Sequence, residues 1–121
     1  MVPLGTRHPL PVRSVGELLI DARNLHREGR FILAAMTARA ALDCYLRQLH
    51  AQHNLPRPKR DCIGEFAESL QQARIINGPA GKLIYKLAKI GGRAVHNQPI
   101  DAEEISLLVE GVALLIEGGA Q

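Results

Sequence analysis

The chain has no tryptophan, and only two phenylalanines and two tyrosines in 121 residues. It therefore lacks the row of aromatic rings on which many single-strand nucleic-acid binders stack bases. Two cysteines, Cys44 and Cys62, are too few for a disulfide scaffold. No apolar run reaches the roughly 20 residues of a membrane-spanning helix. Residues 1–13 contain no apolar stretch of the secretory-signal kind. The expectation is a cytoplasmic protein without membrane contact. Strand-like alternation of apolar and polar residues is missing as well. What is present is an ordinary globular composition, 46% hydrophobic and 22% charged, which excludes disorder for most of the chain.

The net charge of +3 is unevenly placed. Residues 1–60 hold ten Lys/Arg against four Asp/Glu, and residues 61–121 hold five against eight. Such asymmetry suits an anionic partner or head-to-tail self-association.

The periodicity predicts five helices. Residues 1–13, with Pro3, Pro9 and Pro11, read as a flexible arm, and residues 14–118 as one helical domain. Ser14 and Glu17 have capping-box spacing ahead of the stripe Val15, Leu18, Leu19, Ala22 and Leu25, which Gly29 ends. The segment from Phe31 to His50 is apolar all round, from Leu33 through Ala38 and Leu42 to Leu49, and belongs at the centre of a bundle. Arg39 and Asp43 are spaced to pair on it. Pro56 and Pro58 mark a loop, and Asp61 can cap a third helix carrying Ile63, Phe66, Ala67 and Leu70. Asn77-Gly78-Pro79 breaks the chain. A fourth helix from about Ala80 points Leu83, Ile84, Leu87, Ile90 and Val95 inward, with Gly91-Gly92 as a kink, a stop or a close approach of two backbones. Asp101 and Glu104 form a second capping box before Ile105, Leu108, Val109, Val112, Leu115 and Ile116. The fold class is all-α, an up-and-down bundle.

Few residues offer chemistry. His50 and His53 share a helix end, but a metal needs more ligands than two, and a solvated helix terminus accounts for them. Cys44 reads as a small core residue. Neither cysteine has a His–carboxylate arrangement legible around it. Gly91-Gly92 is no phosphate loop, because neither a preceding strand nor a Gly-Lys-Ser/Thr accompanies it. We expect no cofactor and no bound metal. Lys82, Lys86, Lys89 and Arg93, at steps of four, three and four, fall on one helix face if the helix passes through the glycines, and His96 extends the row. A row of this kind can follow a phosphate backbone; the bland alternative is a solvated face. Arg57-Pro58-Lys59-Arg60 is a second basic cluster, on a loop.

The stretch Lys89-Ile90-Gly91-Gly92-Arg93-Ala94-Val95-His96-Asn97, ahead of a capped last helix, resembles the signature of HEPN-type helical domains. In particular it is similar to a HEPN-related family found beside restriction and phage-defence genes, whose helix ends in Gly-Asn-x-Ala-x-His. Thr37-Ala38-Arg39-Ala40-Ala41-Leu42-Asp43 is similar to that family's Ala-Arg-x-Ala-Leu-Glu stretch. The resemblance spans about residues 14–118. It implies a helical bundle, a homodimer and, in catalytic members, metal-independent RNA cleavage by an arginine and a histidine with four to six residues between them. His96 matches the histidine. The positions with six, five and four residues between hold Lys89, Ile90 and Gly91, so the arginine is missing, and Arg93 stands too close. The family's asparagine is replaced by Gly92.

Such cleavage needs a base for the 2′-hydroxyl and a fixed cation for the phosphorane. His96 suits the first task, whereas Lys89 lacks the guanidinium fork. The expected function is therefore a non-catalytic, dimeric interaction module that binds a partner protein or RNA in a prokaryotic defence or toxin–antitoxin setting. The alternative is a degenerate ribonuclease built on His96 with Lys89 or Arg93, with Lys82 and Lys86 extending the RNA contact.

Overall fold

The structure, a computed structural model, describes residues 14–118. The arm expected over residues 1–13 and the glycine stop expected at Gly119 lie outside the described residues. Five helices and no strand are present among them: α1 (Val15–Arg27), α2 (Phe31–Gln52), α3 (Ile63–Gln72), α4 (Gly78–Val95) and α5 (Ala102–Gly118). None is long and apolar enough to cross a membrane.

Three of the five helices, α1, α4 and α5, start where a side chain takes a free N–H group, whereas α2 and α3 have no side-chain cap. Ser14 Oγ accepts the Glu17 N–H at 3.1 Å, and Asn77 Oδ1 accepts the Ala80 N–H at 2.8 Å. The Asn77-Gly78-Pro79 breaker is thus the start of α4, with Pro79 in its first turn, two residues earlier than the expected Ala80. At α3 the cap position is Cys62, which makes no side-chain cap bond. The expected cap, Asp61, instead bonds Arg47 of α2. Asp101 and Glu104 close a reciprocal box, at 2.7 Å and 3.3 Å.

The helix ends share one device. Gly29, Asn54, Arg74 and Asn97 all have positive φ and follow α1, α2, α3 and α4. The next N–H in each case reaches back to a carbonyl of the last turn: Arg30 to Leu25, Leu55 to His50, Ile75 to Leu70 and Gln98 to Arg93. Glycine takes this left-handed conformation freely, and asparagine more readily than most residues.

α2 packs against all four other helices, as its composition predicts. Ala34, Ala35, Ala38, Ala41, Leu42 and Leu46 are fully buried, and small alanines let the neighbours approach. Its first two turns depart from the expectation. Phe31, Ile32, Leu33 and Met36 are 40–46% exposed. α3 is only ten residues long. It meets the other end of α2, where Arg47 lies over the Phe66 ring and His50 touches Ser69.

α4 runs antiparallel to α2. Its start shares a cavity with His53, the residue that ends α2, and its Gly91 lies against Arg39 in the first half of α2. The helix continues unbroken through Gly91-Gly92 to Val95. Gly91 is the site of close approach: a Cβ there would stand 2.8–2.9 Å from Cβ, Cγ and Cδ of Arg39. The neighbouring Gly92 has nothing within 4 Å of such a Cβ. Val95, expected inward, is exposed.

The predicted Arg39–Asp43 pair does not form. Arg47 Nε bonds both carboxylate oxygens of Asp43 at 3.0 Å, one turn onward. The stem of Arg39 lies on Gly91 instead, and its Nε is buried without an acceptor.

Candidate functional site

The basic row is assembled on a single helix face because α4 is continuous across its two glycines. Lys82, Lys86 and Lys89 are exposed. None of the three has a carboxylate partner among the described residues, and Lys89 Nζ sits 5.2 Å from the centre of the Tyr85 ring. Arg93 differs. Its guanidinium is held by the Glu104 carboxylate, with Nη1 at 3.3 Å from Oε1 and Nη2 bonded to Oε2. That contact, ahead of the bond from the Asp101 N–H, holds the Glu104 carboxyl below the usual glutamate range. Glu104 therefore both caps α5 and clamps it to α4.

The row also divides between two grooves. Lys86, Lys89 and Arg93 border a groove of about 420 Å³ with Asp101, Glu103 and Glu104, so the lining is of mixed sign. Lys82 borders a larger groove of about 880 Å³ between α3 and α4, beside Cys62, Glu68 and Tyr85. His96 lines neither. It follows the last residue of α4, its N–H donates to the Gly92 carbonyl at 3.0 Å, and its side chain is exposed with no partner among the described residues. Lys89 is seven positions upstream, about 10 Å along the helix axis. Asn97, beside His96 in the motif, has φ of 55° and terminates the helix.

The second histidine pair is also placed. His50, expected at a solvated end, is 3% exposed. Its Nε2 stands 3.0 Å from Ser69 Oγ, and its ring meets Phe66 edge-to-face at 5.0 Å. α3 covers it from across the chain, which helical spacing alone does not reveal. No group of three or more metal-ligating side chains exists among the described residues. Cys44 is half-buried, and desolvation, then the neighbouring Asp43 charge, push its thiol up. Cys62 is exposed. The loop cluster Arg57, Lys59 and Arg60 is exposed.

Sequence reasoning missed the apolar end of the bundle. Phe31, Ile32, Leu33 and Met36 lie on the early turns of α2, at the end where α4 finishes. Their signal was present, since a helix apolar all round needs cover all round.

The class of protein that these features define is an all-α bundle with one bare apolar end and no assembled catalytic constellation among the described residues. No protein-family profile, curated protein or solved structure matches the chain significantly.

Proposed function

We propose that this chain is a non-catalytic helical interaction module of HEPN-like type that works as a homodimer. The observation that supports this reading is the apolar end of α2, where Phe31, Ile32, Leu33 and Met36 stand 40–46% exposed. Apolar side chains exposed together on successive turns of one helix mark a docking site, because water penalises them until a partner covers them. The HEPN-like assignment and the defence or toxin–antitoxin setting rest on the resemblance of residues 37–43 and 89–97. Neighbouring genes for a restriction subunit or a nucleotidyltransferase would support that setting. Light scattering at tens of micromolar tests the dimer, and a monomeric mass refutes it.

A second reading has one observation in its favour. Lys82, Lys86 and Lys89, with no carboxylate partner among the described residues, lie along one face of α4, a geometry suited to an RNA backbone. In that reading His96 is the base, with Lys89 or Arg93 as the cation. One contact and one separation weigh against it: Glu104 already neutralises Arg93, and Lys89 is two turns from His96. Incubation of the purified chain with RNA discriminates. Cleavage that His96→Ala abolishes without unfolding the protein would establish the nuclease. The interaction module predicts no cleavage.

A further inference from the structure

Where α2 ends, a cavity of about 450 Å³ lies between its last turns, the loop after it and α3. Arg47, His50, Asn54 and Arg57 bring polar side chains to it, and Leu55 and Phe66 form an apolar wall. No carboxylate of the described residues borders it. Asp43 and Asp61 stay off the lining although both hold Arg47, Asp43 through Nε at 3.0 Å and Asp61 through Nη1. The Arg47 guanidinium also lies over the Phe66 ring, 4.7 Å from its centre. These contacts fix it in place, and its Nη2 bonds nothing among the described residues. Arg57 has no carboxylate partner among them.

His50 adds a neutral donor. Its ring is buried, and its Nε2 stands 3.0 Å from Ser69 Oγ. A serine hydroxyl that donates to Nε2 leaves the imidazole proton on Nδ1, and Nδ1 bonds nothing among the described residues. Asn54 supplies an amide, and its carbonyl is the one free side-chain acceptor on the lining. The carboxyl end of α2 would repel an anion if its last carbonyls were free. They are taken: the Leu55 N–H donates to the His50 carbonyl at 3.4 Å, and the Asn54 N–H to the Ala51 carbonyl at 3.1 Å. Lys59 and Arg60, exposed beside Arg57 in the chain, raise the positive potential further. A wall of donors with two guanidinium groups and no acid fits an oxyanion.

We infer that this cavity binds a phosphate group, free in solution or carried by a small ester. Arg57 and the Nη2 of Arg47 neutralise the group, and the His50 Nδ1–H and the Asn54 amide bond its other oxygens. A phosphate offers at least three strong acceptor oxygens and up to two negative charges, which matches donors arriving from four residues better than the two oxygens of a carboxylate do. The Leu55 and Phe66 wall suits the carbon side of an ester. The site lies within one copy, so it stands apart from the dimer reading and from the basic row on α4.

An NMR titration of the isotopically labelled chain with inorganic phosphate, at constant pH and ionic strength, tests this. The His50 ring signals and the backbone signals of Asn54, Leu55 and Arg57 should move along a saturating curve. Arg57→Gln changes an exposed loop side chain and should leave the fold intact by circular dichroism. It should weaken phosphate binding about tenfold or more, the loss expected for a charge-assisted hydrogen bond. Arg27→Gln, at the other end of the bundle, should bind phosphate like the wild type. Methyl phosphate in place of phosphate separates the two sources: tighter binding assigns an ester, and equal or weaker binding assigns the free anion. Shifts that do not saturate, or that survive Arg57→Gln unchanged, would overturn the site. An equal loss in Arg27→Gln would reduce it to general charge attraction. Acetate that matches phosphate would overturn the choice of phosphate.

Discussion

Two ends of the same bundle treat similar residues in opposite ways. At the His50 end, α3 lies across α2, His50 is buried against Phe66 and Ser69, and Arg47 is held by two aspartates. At the His96 end, the histidine is exposed, a phenylalanine and three aliphatic side chains of α2 are bare, and Arg27, Arg30 and Arg39 lack carboxylate partners among the described residues. The cause is length. α2 has 22 residues and α3 has ten, so the short helix can cover only part of the long one. Residues at the covered end are settled by the chain itself. Those at the bare end make sense once something else sits on them.

The comparison is tested most severely by the two phenylalanines. Phe66 is 4% exposed, and Phe66→Ala should cost about 3–5 kcal/mol in urea unfolding. Phe31 is 41% exposed and meets His26 edge-to-face at 5.6 Å, and Phe31→Ala should cost about 1 kcal/mol, well below the loss at Phe66. Equal losses would break the distinction between the ends.

The histidines give the next largest contrast. His50→Ala removes a buried ring and its bond to Ser69, and should cost about 2 kcal/mol. His96→Ala should leave the free energy of unfolding within about 0.5 kcal/mol of the wild type. A large loss at His96 would mean that it is structural, not an exposed helix-terminal residue.

The adjacent glycines sharpen the geometry where α2 and α4 meet. Gly91→Ala forces a methyl group against the stem of Arg39, including its Cβ, which cannot swing away, and should destabilise by about 1–3 kcal/mol. Gly92→Ala meets nothing within 4 Å and should stabilise by about 0.5–1 kcal/mol through reduced freedom of the unfolded chain. Thermal melts of the two variants should move in opposite directions.

The smallest effect is a pH dependence at the His96 end. The folded-state pKa of Glu104 is depressed, first by the bond from Arg93 and then by the Asp101 N–H. A depressed carboxyl contributes stability that is present above its unfolded pKa and is lost as pH falls through the folded one. Glu104→Gln should therefore flatten the stability profile in acid, below about pH 4, with little change in its shape near neutrality. An unchanged acid limb would show that the Arg93–Glu104 contact contributes nothing.

Much of the fold was legible because helix formation is local. The spacing of Val15, Leu19 and Ala22, and of Ile105, Leu108 and Val112, marks faces that are buried in the bundle. Ser14 and Asp101 cap where their partners three residues on predict. The Asn77-Gly78-Pro79 run does mark the boundary between α3 and α4, but α4 begins two residues earlier than read, because Asn77 caps it and proline fits a first turn. The candidate site was less legible. Sequence aligned Lys82, Lys86, Lys89 and Arg93 on one face, but the neutralisation of Arg93 depends on Glu104, a side chain of the next helix.

Sequence alone determined the helices, the spacing of the basic row on α4 and the all-round apolar character of α2, because each follows from residues within a few turns of one another; that α4 runs unbroken through Gly91-Gly92 came from the structure. Tertiary structure decided which side of α2 stays bare, which arginines find carboxylates and which histidine is buried. Arg23 and Arg93 find their carboxylates on α5, but the burial of His50 and the pairing of Arg47 turn on where a ten-residue helix and the loop before it come to rest. That placement joins side chains 14 to 19 positions apart, Arg47 with Asp61 and His50 with Ser69, beyond the reach of any local periodicity.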